Sequence, residues 1–154
     1  MQVRRASPRD APELAELLRE IGWFESLRNE PLKETSRRVS EHIAQCSADN
    51  SHSVFVAESP DGQVVGYGSV HWLPYLFLPG PEGYVSELFV RESARAQGVG
   101  KQLLCAIETE GKARGCVRLS LINLRNRESY QRQFYIKAGW EERREAANFI
   151  YWVG

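Results

Sequence analysis

The chain has 154 residues, 42% of them apolar, which is the length of one domain that can bury a core without disulfides. Its 20 Lys and Arg residues balance 20 Asp and Glu residues, so charge gives no case for nucleic acid or an anionic membrane as a partner. No apolar run approaches the roughly 20 residues that a membrane span requires. Because the N-terminal MQVRRASPRD also lacks the apolar centre of a signal peptide, we expect a soluble cytoplasmic protein. The balanced charge leaves a small molecule as the expected partner.

The first half of the chain alternates between strand and helix patterns. Residues 3–6 predict a short strand, and Asp10 is placed to cap a helix whose apolar positions recur at helical spacing up to Ile21. Residues 33–46 predict a second helix. Two strands rich in β-branched and aromatic residues follow at 53–58 and 64–72, and the turn between them predicts a hairpin.

The second half continues the alternation after a Pro-rich apolar loop. That loop, residues 73–83, contains three prolines and is therefore unsuited to a central strand. Helices are predicted at 98–114 and 126–138, and strands at 84–90, 117–122, 140–143 and 148–153. Without repeats or a linker, the order of elements predicts one mixed α/β domain over residues 1–154.

The three cysteines, Cys46, Cys105 and Cys116, are odd in number and widely spaced. We interpret them as lacking a close second ligand, which argues against a disulfide framework and against a zinc site. The sequence therefore predicts ordinary packing thiols and no metal.

A glycine pair opens the helix predicted at 98–114, in the stretch RAQGVGKQ. A helix N-terminus presents unpaired N–H groups and the positive end of the helix dipole, so bare glycine backbone there suits a phosphate. A P-loop would require Gly at Arg95 and Ser or Thr at Gln102, and the dinucleotide fingerprint would require Gly or Ala at Leu103. Both patterns fail, which argues against a protein that binds ATP or NAD.

The same loop resembles the phosphate loop of the GNAT superfamily of acyl-coenzyme A N-acyltransferases. That loop reads Arg or Gln, two residues, Gly, one residue, and Gly or Ala, and here Arg95, Gly98 and Gly100 fill it. The opening RRASPRDAPELAELL is similar to the first strand and helix of the family. With the C-terminal segment described next, the resemblance covers essentially the whole chain.

In the family, the C-terminal segment has an Asn ahead of a helix that carries a Tyr four residues before Gly-Phe. In this chain Asn126, Tyr135, Gly139 and Trp140 resemble that pattern, with Trp140 in place of the customary Phe. The stretch from Asn126 to Tyr135 is also about two residues longer than usual, which leaves the role of Asn126 open.

The resemblance implies a GNAT-type α/β fold with a mixed, mostly antiparallel sheet, splayed central strands and flanking helices. In such a fold the strand before the glycine loop keeps unpaired backbone groups, which bind the pantetheine arm of acetyl-CoA in the manner of an added strand. The pyrophosphate binds the backbone of the loop. The implied cofactor-binding residues are Leu88, Phe89, Val90, Arg95, Ala96, Gln97, Gly98, Val99, Gly100, Lys101 and Asn126.

The implied reaction is direct attack of a neutral amine on the thioester of acetyl-CoA. By resemblance, Tyr135 is the phenol that protonates the departing thiolate. Glu87 is the only carboxylate within the strand YVSELFV and is the candidate that accepts the amine proton through water. His71 and bulk water stay open as alternative bases. Because side chains alternate along a strand, Glu87 should face away from Tyr84 and Ser86 unless a bulge intervenes.

An aromatic stretch around the Pro-rich loop supplies the candidate acceptor contacts, Trp72, Tyr75, Tyr84 and Ser86. Such a wall suits an apolar amine or, through cation–π contacts, a charged one, although the loop could instead fold onto the core or a dimer partner. The acceptor is open between a small-molecule amine and a protein amine, and so is the choice between a monomer and a homodimer. The rival function is an acyl-CoA-binding module of the same fold without catalysis.

Overall fold

The computed structural model describes all 154 residues, which form two compact units, residues 1–122 and 123–154. The first unit holds a five-stranded sheet whose spatial order follows the sequence. Neighbouring strands are antiparallel except for the last pair, which is parallel. The strands are β1 (Gln2–Arg5), β2 (His52–Glu58), β3 (Val64–Leu73), β4 (Glu82–Val90) and β5 (Arg118–Leu121).

Helices cover both faces of this sheet. They are α1 (Ala11–Ile21), α2 (Glu25–Asn29), α3 (Leu32–Asp49) and α4 (Val99–Ala113), with 3-10 turns at Pro8–Asp10 and Glu92–Ala94. No helix combines the length and the apolar character that crossing a bilayer would require. The mixed, mostly antiparallel sheet with flanking helices confirms the predicted fold class.

The core follows from the two-residue period of the strands. On one face, Leu14 and Leu17 of α1 and Ile43 of α3 pack against β2 and Tyr67 of β3. The residues on either side of Tyr67 point to the opposite face. There Gly68 leaves room for Ile107 of α4, whose Cδ1 would lie 3.1 Å from a Cβ at Gly68.

Local predictions in this unit hold with shifted boundaries. The hairpin of β2 and β3 is confirmed, and α3 extends the predicted helix at both ends. Asp10 lies at the N-cap of α1, but its carboxylate binds Arg4 and the Ser7 N–H instead of the first turn of the helix. The short helix α2 was not predicted.

The second unit differs more from the prediction. The helix expected at 126–138 is wrong, because two short helices, α5 (Glu128–Gln131) and α6 (Phe134–Lys137), flank a break. The break occurs at Gln133, whose φ of 55° is left-handed. The strands expected at 140–143 and 148–153 are also wrong. A strand requires a ladder of hydrogen bonds to a partner, and neither segment forms one with the other or with another strand.

Candidate active site

The free edge of β4 is the first element of the site. β4 pairs with β3 from one end to the other, but it pairs with β5 only over Glu82–Val85. The pairing ends at Val85 and Leu121, the last residue of β5, so no strand pairs with that edge of residues 86–90. This confirms the splayed strands, and it leaves the edge at Leu88, Phe89 and Val90 where the sequence predicted it.

A β-bulge changes the face of the sheet on which some side chains of β4 lie. Ser69 pairs with Glu87 and the next residue, Val70, pairs with Val85, so Ser86 is the extra residue. Directly opposed residues share a face of the sheet, and the bulge therefore puts Glu87 on the face of Tyr84. Regular alternation along the strand would place the side chains of Glu87 and Tyr84 on opposite faces. The bulge, which is the exception allowed for in the sequence analysis, places them on the same face.

Glu87 is a carboxylate partly removed from water. Burial raises the pKa of Glu87, while the nearby Tyr67 hydroxyl and His42 offset part of the rise. The Tyr67 hydroxyl is buried and makes no hydrogen bond of good geometry. Burial and the charge of Glu87 raise the pKa of Tyr67, so this phenol is a protonated donor at neutral pH.

Ser86 and His71 form a polar pair beside this carboxylate. The hydroxyl of Ser86 lies 3.0 Å from Nε2 of His71 and also donates to the Ser69 carbonyl at 3.5 Å. Burial lowers the pKa of His71, so its imidazole is neutral at pH 7. His71 thus faces the bulge and keeps its place as the alternative base.

The loop before α4 presents backbone donors to solvent. Residues 95–98 are exposed, and Ala96 and Gly98 have left-handed φ of 60° and 78°. The first helical hydrogen bond runs from the Gln102 N–H to the Gly98 carbonyl at 3.0 Å. The N–H groups of Val99, Gly100 and Lys101 therefore have no partner within the helix and can bind an anion.

The four predicted acceptor contacts do not form one surface. Tyr84 and Ser86 lie at the bulge, whereas Tyr75 packs against Phe77 in an exposed loop, with ring centroids 5.3 Å apart. Trp72 is a core residue, 9% exposed, whose indole donates to Ser53 and lies under Arg114. Its surroundings give no support to the predicted role in acceptor binding.

Two aromatic residues that the sequence did not single out as site residues lie against β4. Trp23 and Phe24, between α1 and α2, both make edge contacts with Phe89 at centroid distances of 5.3 and 6.3 Å. Tyr67 contacts Phe89 from the other side at 5.7 Å. The adjacent pair of large aromatics after Gly22 was the available signal, since half-exposed aromatics at a helix end are common in binding sites.

The second unit contains Tyr135 and Asn126. Tyr135 belongs to α6 and packs against Phe134 and Trp140, with centroids at 4.9 and 6.1 Å. Burial raises the pKa of Tyr135 to about 12, so the phenol keeps its proton at neutral pH. Asn126 is exposed in the segment before α5.

The chain is similar to known acetyltransferases in sequence and in fold. An aminoglycoside N(6')-acetyltransferase type 1 from Stenotrophomonas maltophilia is 30% identical over 122 residues, covering 77% of this chain and 72% of that protein. A thialysine N-epsilon-acetyltransferase from Bos taurus is 24% identical over 131 residues, covering 79% and 73%. The structure of an aminoglycoside acetyltransferase from an uncultured soil metagenomic sample superposes with a TM-score of 0.75 at 22% identity, covering 99% and 96%.

The family comparison extends over most of the chain. Residues 16–140 match the acetyltransferase (GNAT) family, and this range includes the splayed strand, the glycine loop and the Tyr135 segment. The free edge of β4 and the donors at the start of α4 thus belong to a matched sequence as well as to a matched fold. The chain is a member of the GNAT family of acyl-CoA-dependent acetyltransferases.

Proposed function

We propose that the protein transfers the acetyl group of acetyl-CoA to a primary amine of a small molecule. The observation that carries the proposal is the continuity of β4 with the glycine loop. The unpaired edge of residues 86–90 leads into unpaired N–H groups at the start of α4, and Glu87 lies within the same strand. One stretch of chain thus offers binding groups for a pantetheine arm, a phosphate and an amine.

The cosubstrate contacts follow from this stretch. The backbone of Leu88, Phe89 and Val90 hydrogen-bonds the amide groups of the pantetheine arm as an added strand would. The pyrophosphate accepts hydrogen bonds from the loop and the first turn of α4, where the helix dipole favours negative charge. An added Cβ at Gly98 would have no protein atom within 4 Å, so the protein leaves open space beside the backbone at this position.

The chemistry requires two proton transfers. The amine nitrogen attacks the thioester carbonyl after its ammonium form has lost a proton, and Glu87 accepts that proton through a water molecule. When the tetrahedral intermediate breaks down, the C–S bond cleaves and the thiolate takes the phenolic proton of Tyr135. The raised pKa of Glu87 suits a base that works near neutral pH, and that of Tyr135 keeps the donor protonated.

The acceptor is proposed to be cationic. By their names, the two curated relatives act on an aminoglycoside and on thialysine, both of which carry amino groups. The ring faces of Trp23 and Phe24, next to Phe89 and the Glu87 strand, offer cation–π contact and a carboxylate to an ammonium group. Tyr84 and Ser86 are the polar groups on the same strand.

A screen for thiol release tests the proposal directly. The protein would be incubated with acetyl-CoA and a panel of aminoglycosides, thialysine, polyamines and short peptides with free N-termini. We expect release with one of the small cationic amines, and mass spectrometry should show one added acetyl group on it. Tight binding of acetyl-CoA without release for any amine would support the silent acyl-CoA-binding module instead.

A further inference from the structure

Two of the three histidines, His42 and His52, meet Cys46 in a cluster outside the proposed catalytic groups. His42 and Cys46 lie one turn apart on α3, so they share a face of the helix, and His52 begins β2 opposite them. The imidazole rings of His42 and His52 are 4.8 Å apart, and Cys46 Sγ contacts His52 Nε2. The premise that the cysteines lack a close second ligand does not hold for Cys46.

The two ring nitrogens of His52 have different partners. Nδ1 lies 3.0 Å from the hydroxyl of Ser51, and Nε2 lies 3.1 Å from Nε2 of His42. If Nδ1 carries the proton and donates it to Ser51, the lone pair of Nε2 points toward Cys46 and His42. This is the usual state of a metal-binding histidine, whose second nitrogen is held by an oxygen outside the coordination shell.

A hydrogen-bond network accounts poorly for the three groups. A single Nε2 faces a thiol and a second imidazole nitrogen at once, and it cannot donate to or accept from both with good geometry. A cation at the centre would satisfy all three donor atoms together. The donor atoms lie within 4.8 Å of one another. Zn²⁺ between them would lie about 2.0–2.1 Å from each nitrogen and 2.3 Å from the sulfur.

The surroundings suit a bound metal ion. Cys46 and His52 are buried, at 3% and 7% exposure, while His42 is exposed. A cavity of about 270 Å³ between β1 and α3 is lined in part by Cys46 and His52. Three protein ligands leave a fourth tetrahedral position for water or another ligand.

We propose that His42, Cys46 and His52 bind one borderline-soft divalent transition-metal ion, with Zn²⁺ as the natural occupant. Binding replaces the S–H bond of Cys46 by a metal–sulfur bond and releases the proton to water. The ion connects the middle of α3 to the start of β2. This site is independent of the proposed function, because none of its ligands is assigned to acetyl transfer.

Cobalt substitution tests the site without any activity measurement. The starting protein would be the tag-free full-length Cys105→Ser/Cys116→Ser variant, in which Cys46 is the only thiol. Titration with Co²⁺ should give thiolate-to-metal charge-transfer absorption that saturates at one ion per chain, and excess Zn²⁺ should abolish it. Zn²⁺ should also raise the Tm, since it binds the folded state.

Ligand variants decide between a site and nonspecific binding. In the same background, Cys46→Ser should remove the absorption, and His42→Ala should weaken binding by at least about ten-fold. His42 is exposed, so the second variant should fold even if the first does not. Gln45→Ala, at an exposed position on the same helix, should leave binding unchanged. Absence of the absorption, or an affinity that His42→Ala does not change, would overturn the proposal.

Discussion

Glu87 is the residue whose proposed role depends most on its surroundings. A base must be ionised, so activity should fall as the pH drops through its raised pKa, above the ordinary value of about 4.3 for glutamate. Glu87→Gln should lower kcat/KM by about ten-fold or more and remove that acid limb from the pH profile. The exposed Glu16→Gln on α1 is the matched control. Wild-type kinetics across the pH range would exclude Glu87 as base or anchor.

The same carboxylate should weaken the fold at neutral pH. A raised pKa means that the folded chain holds this proton more tightly than the unfolded chain does. The stabilisation is complete below the unfolded pKa and is lost as the pH rises through the folded pKa. Glu87→Gln should therefore raise the Tm at neutral pH, and the gain should shrink toward about pH 4. Thermal melts of both proteins across this range measure the effect, and an equal shift at every pH would contradict it.

Tyr135 offers a clean separation of chemistry from packing. Replacement by Phe keeps the ring contacts with Phe134 and Trp140 and removes only the donor. We expect kcat to fall by about 10²-fold while the affinity for acetyl-CoA changes only a few-fold, since proton donors typically contribute in this range. Tyr151→Phe, at a position 87% exposed, is the control. An unchanged kcat would leave Tyr135 as a packing residue.

At the scale of elements, the glycine loop and the β2–β3 turn contain matched glycines. Gly98 and Gly62 both have left-handed φ, 78° and 85°, and at neither position would an added Cβ lie within 4 Å of another atom. Aspartate at either position should therefore cost similar stability, about 1–2 kcal/mol from the backbone strain. Only Gly98→Asp should abolish CoA binding in calorimetry, because its charge would occupy the phosphate site. Equal CoA affinity in the two folded variants would refute the loop as the phosphate site.

Elements with local signals were predictable, and those that depend on pairing were not. The hairpin and the start of α4 follow from turn residues and helix periodicity, so the sequence located both. The bulge at Ser86 depends on how β3 and β4 align, which no single strand encodes. Nor does the stretch around Gln133 contain Gly or Pro, so no residue signalled the break between α5 and α6.

The site shows the same division between local and long-range information. The glycine loop and Glu87 are local in the sequence and could be proposed from it as site residues. The contact of Trp23 and Phe24 with Phe89 joins residues more than sixty positions apart. Trp72 is likewise covered by a distant residue, Arg114, at the C-terminal end of α4. Such contacts arise from tertiary packing, which the hydrophobic periodicity and the composition of the sequence do not specify.

At the scale of the whole molecule, the prediction of one domain can be tested by its unfolding. The glycine loop lies in residues 1–122 and Tyr135 in residues 123–154. If the chain is one cooperative domain, calorimetry should show a single transition. Acetyl-CoA at about 100 times its Kd should add about 2.7 kcal/mol, which corresponds to a rise of about 5–10 °C in Tm for a chain of this size. Both the wild type and Tyr135→Phe should show this shift, whereas Gly98→Asp should not. Two separate transitions, of which acetyl-CoA moves only one, would show that the two units unfold independently.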